Sequence, residues 1–250
     1  MKCIKDIRYS CVYDTSLLDI YLPDKDIKNA KVFVYFHGGG LVGGDKSYAE
    51  VCAEYLTERG IAVVSANYRM YPDAKYPDFI LDAAEAVAWV FDHIKEYGDY
   101  DKIYVGGSSA GGYISMMLCF DQSYLAHYGI NSDSLAGYVH DAGQPTCHFN
   151  VLSERGIDPR RVIVDDSAPI YHVGTRNTSA PMLFIVYDND MVNRYEQTMM
   201  MLKTLEHFEY DLSKIQSKVM HGAHCAYVSR RDENRVSDFG KIIFEFMDQY

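Results

Sequence analysis

The chain has 250 residues, a formal charge of −11 and six scattered cysteines. That length supports a large buried core within one domain spanning 1–250, and the acidic balance, with no basic run to offset it, argues against nucleic acid or an anionic membrane as partner. No apolar stretch has the length of a signal peptide or a bilayer span, and Cys3, Cys11, Cys52, Cys119, Cys147 and Cys225 show neither paired nor zinc-type spacing, so the expectation is a cytoplasmic protein with reduced thiols and no metal.

In chain order, the first strong signal is Val32-Phe33-Val34-Tyr35-Phe36, a continuous apolar run of the kind buried in a parallel sheet. It runs directly into His37-Gly38-Gly39-Gly40, with Gly43 and Gly44 close behind. Backbone N–H groups that must approach a reacting oxygen need a loop without obstructing side chains, and three glycines at a strand end meet that need. Residues 48–59 read as a helix, 61–66 as a strand and 76–97 as a long helix.

Lys102 to Val105 then enter Gly106-Gly107-Ser108-Ser109-Ala110-Gly111-Gly112, and a helix-compatible run from Tyr113 to Phe120 leaves it. Gly107-Ser108-Ser109-Ala110-Gly111 is Gly-x-Ser-x-Gly between a strand and a helix, the nucleophile-elbow pattern. Centring the pattern on Ser108 would put Ala110 at the last glycine position, so Ser109 fits and Ser108 does not. The helix N-terminus behind the serine aims free N–H groups at negative charge forming there.

Residues 135–140 read as the next strand, and 181–187 as another buried one that ends in Asp188-Asn189-Asp190. A carboxylate there is placed to hold an imidazole in one tautomer, and both aspartates are candidates. A helix follows over 194–207, then a last strand over 215–220 leading into His221-Gly222-Ala223-His224-Cys225, with both histidines candidates. Cys225 reads as a small packing residue, since the elbow explains more. Residues 233–250 form a closing amphipathic helix with Phe239, Ile242, Ile243 and Phe246 at core spacing. Alternating strands and helices predict an α/β fold, a mostly parallel sheet covered on both faces, with reacting groups at the carboxyl ends of strands.

The glycine loop and the elbow, 72 residues apart from His37 to Ser109, resemble those of α/β-hydrolases of the small carboxylesterase kind, akin to hormone-sensitive-lipase-like esterases and acyl-sugar or formamide hydrolases. Leu18-Asp19-Ile20-Tyr21-Leu22-Pro23 is similar to that family's early strand, and Asn67-Tyr68-Arg69-Met70-Tyr71-Pro72, with Tyr76-Pro77 and residues 82–90, to its fourth strand, loop and next helix. The likeness extends from about Leu17 to about Phe246 and is weakest between Gln144 and Val173.

The resemblance implies the α/β-hydrolase fold with a minimal lid, Ser109 as nucleophile, Asp190 rather than Asp188 as acid, and His224 rather than His221 as base. It places the oxyanion at the N–H groups of Ala110, Gly39 and Gly40. The implied reaction is acyl transfer through an acyl-enzyme, without metal or organic cofactor. Ser108 departs from the Asp that many hormone-sensitive-lipase-like relatives carry. Only residues 141–173 leave room for a lid, and Gln144, Thr146, His148 and Phe149 are expected to line the substrate pocket from it. A small lid implies short acyl groups, acetyl esters and acetylated sugars included. The same groups also serve an amide-cleaving enzyme such as a formamidase or small peptidase. A non-catalytic ligand-binding relative usually lacks one of them. The expected partner is a small-molecule ester, and the 22 tyrosines suit either a homodimer surface or a carbohydrate-binding rim.

Overall fold

The computed structural model describes residues 1–25, 27–175 and 180–250. Eight strands, β1 (Lys2–Arg8), β2 (Leu17–Leu22), β3 (Ala30–Phe36), β4 (Ala62–Ala66), β5 (Tyr100–Ser108), β6 (Gly137–Asp141), β7 (Met182–Asn189) and β8 (Ile215–Ala223), form one sheet in the order β1-β2-β4-β3-β5-β6-β7-β8. β1 and β2 are antiparallel to each other, and β2 is antiparallel to β4. Every pairing from β4 to β8 is parallel. This is the mostly parallel α/β arrangement expected from the alternation of elements.

The helices are α1 (Glu50–Thr57), α2 (Asp78–His93), α3 (Ala110–Phe120), α4 (Ser123–Ala126), α5 (Phe149–Glu154), α6 (Arg194–His207) and α7 (Asp238–Met247). Successive side chains on a strand point to opposite faces, and β3 shows how this divides the core. Val32, Val34 and Phe36 pack with Phe79 and Ile80 of α2, Ile114 of α3 and Met201 of α6. Phe33 and Tyr35 pack on the other face with Cys52 and Leu56 of α1 and Phe239, Ile243 and Phe246 of α7. A strand buried on both faces must be apolar throughout, which is why residues 32–36 show no alternation.

Helix α7 is shorter than the expected 233–250. Ser237 ends the preceding turn by accepting the Gly240 N–H at its Oγ, 3.0 Å, and Arg231 and Ser237 form an isolated β-bridge before it. Helix α3 begins at Ala110, earlier than the expected Tyr113, because burial of its whole length outweighs the low helix propensity of Gly111 and Gly112. Segment 141–173 is tied down at several points. Tyr71 Oη donates to Glu154 at 2.5 Å, Arg155 pairs with Asp165 at 2.8 Å, and the Asn150 amide donates to the Gly40 carbonyl. No helix among the described residues is long and apolar enough to cross a membrane.

Candidate active site

The ends of β3, β5, β7 and β8 bring four short stretches together. At the end of β5 the chain turns through Ser109, whose φ of 56° and ψ of −111° put a residue with a Cβ in a region it seldom occupies. The Asp141 carbonyl at the end of β6 accepts the Ser109 N–H at 2.8 Å and locks this geometry. The turn projects Ser109 Oγ toward His224, whose Nε2 lies 2.8 Å away. On the other side of the ring, Nδ1 meets Asp190 Oδ1 at 2.5 Å. That carboxylate is buried, and it also accepts the N–H groups of Met191 at 2.7 Å and Tyr187 at 3.3 Å. Three groups anchored to separate strands therefore form one continuous chain of hydrogen bonds.

The rival pair sits apart from this chain. Asp188 Oδ2 meets His221 Nδ1 at 2.6 Å, and its other oxygen accepts the Gly222 N–H at 2.9 Å. The Gly222 N–H, with His221, lowers the Asp188 pKa, but His221 is 94% exposed and faces solvent. This pair braces the turn that carries His224.

The glycine loop after β3 folds back on itself. At Gly39 φ is +121°, and a Cβ there would stand 1.9 Å from the Gly43 carbonyl oxygen, so no other residue fits. The Gly39 carbonyl accepts the N–H groups of Val42 and Gly43, each at 3.2 Å. Among the described residues, no acceptor takes the N–H groups of Gly39, Gly40 or Ala110. All four stretches border one cavity of about 720 Å³, where Gly39, Gly40, Ser109 and His224 face Tyr48, Val51, Phe149, Met191 and Val228. His37 stays out of the cavity, fully buried and stacked on Tyr68 with ring centroids 4.4 Å apart, while its carbonyl accepts Tyr68 Oη at 2.7 Å.

Three of the four residues expected to line the pocket do something else. His148 is buried: its Nδ1 accepts the Asn150 N–H at 3.2 Å to cap α5, and its ring stacks on Phe149 at 4.3 Å. Burial lowers its pKa well below the usual imidazole value. Gln144 donates to the Cys147 carbonyl at 2.8 Å and borders a separate neighbouring hollow. Phe149 does reach the cavity, whereas Thr146 is fully buried and donates to Gln197 at 3.0 Å. Asn150, which holds the glycine loop through Gly40, had no recognisable signal in the sequence.

Asp141 also went unmarked there. Its side chain is fully buried, accepts Tyr187 Oη at 3.1 Å and lies against Cys225. Burial raises the Asp141 pKa to about 6, against stabilisation of the charge by Ser108 and Tyr187. Burial, followed by Asp141 and Asp190, likewise keeps the Cys225 thiol protonated. The fold therefore prefers Asp141 protonated, and stability from that proton is present below about pH 4 and lost as pH rises through 6. Asp141→Asn is neutral throughout, so it should gain on the native protein across that interval by on the order of 2–3 kcal/mol. Urea unfolding of both proteins at several pH values checks this, and two parallel stability curves would refute it.

The BD-FAE family model matches residues 18–152. The chain is 40% identical over 207 residues to a probable carboxylic ester hydrolase, LipM, of Mycobacterium tuberculosis, covering 73% of this chain and 46% of that protein. It is 34% identical over 120 residues to a probable isoprenylcysteine α-carbonyl methylesterase of Arabidopsis thaliana, covering 46% of this chain and 25% of the other. The chain thus spans half or less of these relatives' lengths. Among solved structures, esterase B of Lactobacillus rhamnosis superposes with a TM-score of 0.80 at 18% identity, over 99% of this chain and 85% of that one. The matched region runs from β2 through the glycine loop and the elbow into α5, and the sheet order agrees with that fold; the chain belongs to the BD-FAE family and has the α/β-hydrolase fold.

Proposed function

We propose that the chain is a serine carboxylic ester hydrolase acting on short-chain esters through an acyl-enzyme. One observation carries this reading: His224 bridges Ser109 Oγ at 2.8 Å and a buried Asp190 at 2.5 Å. His224 takes the Ser109 proton as the oxygen attacks the ester carbonyl, and Asp190 holds the imidazole and stabilises the imidazolium. The negative oxygen of the tetrahedral intermediate is held by the N–H groups of Ala110, Gly39 and Gly40, which have no acceptor among the described residues. His224 then returns the proton to the leaving alcohol, and water repeats the sequence on the acyl-enzyme.

Val51, Phe149 and Val228 give the cavity apolar walls for an acyl group, and the small size of segment 141–173 favours short ones, acetyl foremost. Tyr48, 51% exposed at the cavity, offers an aromatic face for a sugar ring, which favours acetylated sugars as substrates. All six cysteines are free thiols, which fits a reducing compartment. A panel of p-nitrophenyl esters, acetylated sugars, N-formyl compounds and triglycerides tests the reading. The acetyl esters should be cleaved fastest, and a fluorophosphonate should label Ser109. Comparable rates on long-chain triglycerides would defeat the short-chain preference, and failure of the intact protein to label would defeat the serine mechanism.

A further inference from the structure

The hollow beside the active-site cavity has a volume of about 570 Å³ and shares Phe149 and Met191 with it. One of its walls is the start of α6, where Arg194 lies 3% exposed. The guanidinium donates to the Ala142 carbonyl at 2.8 Å and to Gln144 Oε1 at 3.2 Å, both neutral acceptors. Two of its five N–H donors are thereby used. Among the described residues no carboxylate pairs with it; Asp190 acts on it through space but is bonded to His224. Burial lowers the Arg194 pKa to about 10, which leaves it a cation at neutral pH. A buried cation without a directly bonded carboxylate is costly, and a chain with 35 acidic side chains had many ways to supply one.

A second observation concerns the helix itself. Helix α6 has 14 residues, and its N-cap, Asn193, lies in the left-handed region with φ 65° and makes no side-chain capping bond. Asn193, Arg194 and Gln197 all border the hollow, so the positive end of a long helix faces the same space as the buried guanidinium. Arg161 adds an exposed cation to the lining, whereas Arg160 is engaged with Asp158. Glu196 in the first turn is exposed and does not border the hollow.

We propose that this hollow is a subsite for a carboxylate carried by the substrate, with Arg194 as its counter-ion. The inference rests on the esterase reading, because the hollow adjoins the cavity that holds Ser109. The carboxylate arrives on the acyl arm, as in a half-ester of a dicarboxylic acid, or on the alcohol arm, as in an acetylated sugar acid.

The test compares kcat/KM for p-nitrophenyl half-esters of succinate, glutarate and adipate with their methyl-capped neutral counterparts. A second arm compares acetylated glucuronic acid with acetylated glucose. In one arm the carboxylate compound should be favoured about tenfold or more, mainly through KM, as charged hydrogen bonds warrant. The preference should be lost in Arg194→Gln and kept in part in Arg194→Lys. Should Arg194→Gln fail to fold, the charged-to-neutral ratio in the native protein still decides. A ratio at or below one in both arms overturns the subsite while p-nitrophenyl acetate hydrolysis leaves the esterase reading standing. Calorimetric titration with glutarate reads the subsite independently of turnover: binding weakened by Arg194→Lys and lost in Arg194→Gln supports it, and no binding to the native protein overturns it.

Discussion

Ser109→Ala should remove turnover on short esters, with kcat falling on the order of 10⁶-fold, because the proposed nucleophile, base and acid would act as a unit. The fold should survive, since the Ser109 side chain is directed at His224 and not into the core. Ser108→Ala should keep most activity: that hydroxyl is buried behind the turn beside Asp141, and His224 is bonded to Ser109 instead. Ser109→Gly separates chemistry from strain. It should be as inactive as Ser109→Ala yet more stable than the native protein by about 1 kcal/mol or more, because glycine occupies φ 56°, ψ −111° without a Cβ penalty. Steady-state assays with p-nitrophenyl acetate and thermal melts of the three variants check these outcomes. Inactivity of Ser108→Ala alongside an active Ser109→Ala would reverse the assignment.

Gly111→Ala should destabilise the protein by at least about 3 kcal/mol, near the upper end of single-residue effects. A Cβ at Gly111 would stand 1.9 Å from the Phe36 carbonyl oxygen and 2.9 Å from that of His37. Both belong to backbone at the end of β3 and the glycine loop, which cannot swing aside as a flexible side chain would. Helix α3 would have to lift from the sheet and carry the Ala110 N–H away from Gly39 and Gly40. For a chain of this size the melting temperature should drop by roughly 6–12 °C, and activity should fall further than stability alone explains. Gly43→Ala is the control: nothing lies within 4 Å of its added Cβ, and it should be near neutral. Equal melting temperatures for the two variants would refute the close-packing argument.

These two glycines illustrate why so much could be read from residues alone. A Gly-rich turn between a buried strand and a helix is a local device, and local devices leave local traces. Residues 32–36, 61–66 and 181–187 announced themselves because a strand covered on both faces must be apolar throughout. Ser109, which the elbow pattern singled out, does meet Asp190 and His224, which the family resemblance favoured. Their spacing did not separate Asp190 from Asp188; the structure shows the difference, with Asp190 under the chain and Asp188 at the surface. β1 was not recognised because Lys2–Arg8 is half-exposed and mostly polar, and packs through Ile4 and Ile7. His148 and Gln144 were assigned to the pocket because they lie in the one segment with room for a lid, where the family likeness is weakest. Whether a residue in such a segment faces a cavity or caps a helix depends on packing against distant elements, which no local pattern records. Arg194 is the extreme case, an arginine at a helix start whose burial only the assembled sheet creates.

The strand order has one further consequence. β8, which leads to His224, is the outermost strand on its side of the sheet and, among the described residues, pairs only with β7. Its residues alternate between half-buried and exposed, unlike the fully covered strands at the centre. Outer strands of this kind fray at a free energy well below that of global unfolding. On heating or in mild denaturant, His224, the proposed general base, should therefore be released while most of the molecule is still folded, and loss of ester hydrolysis should precede melting.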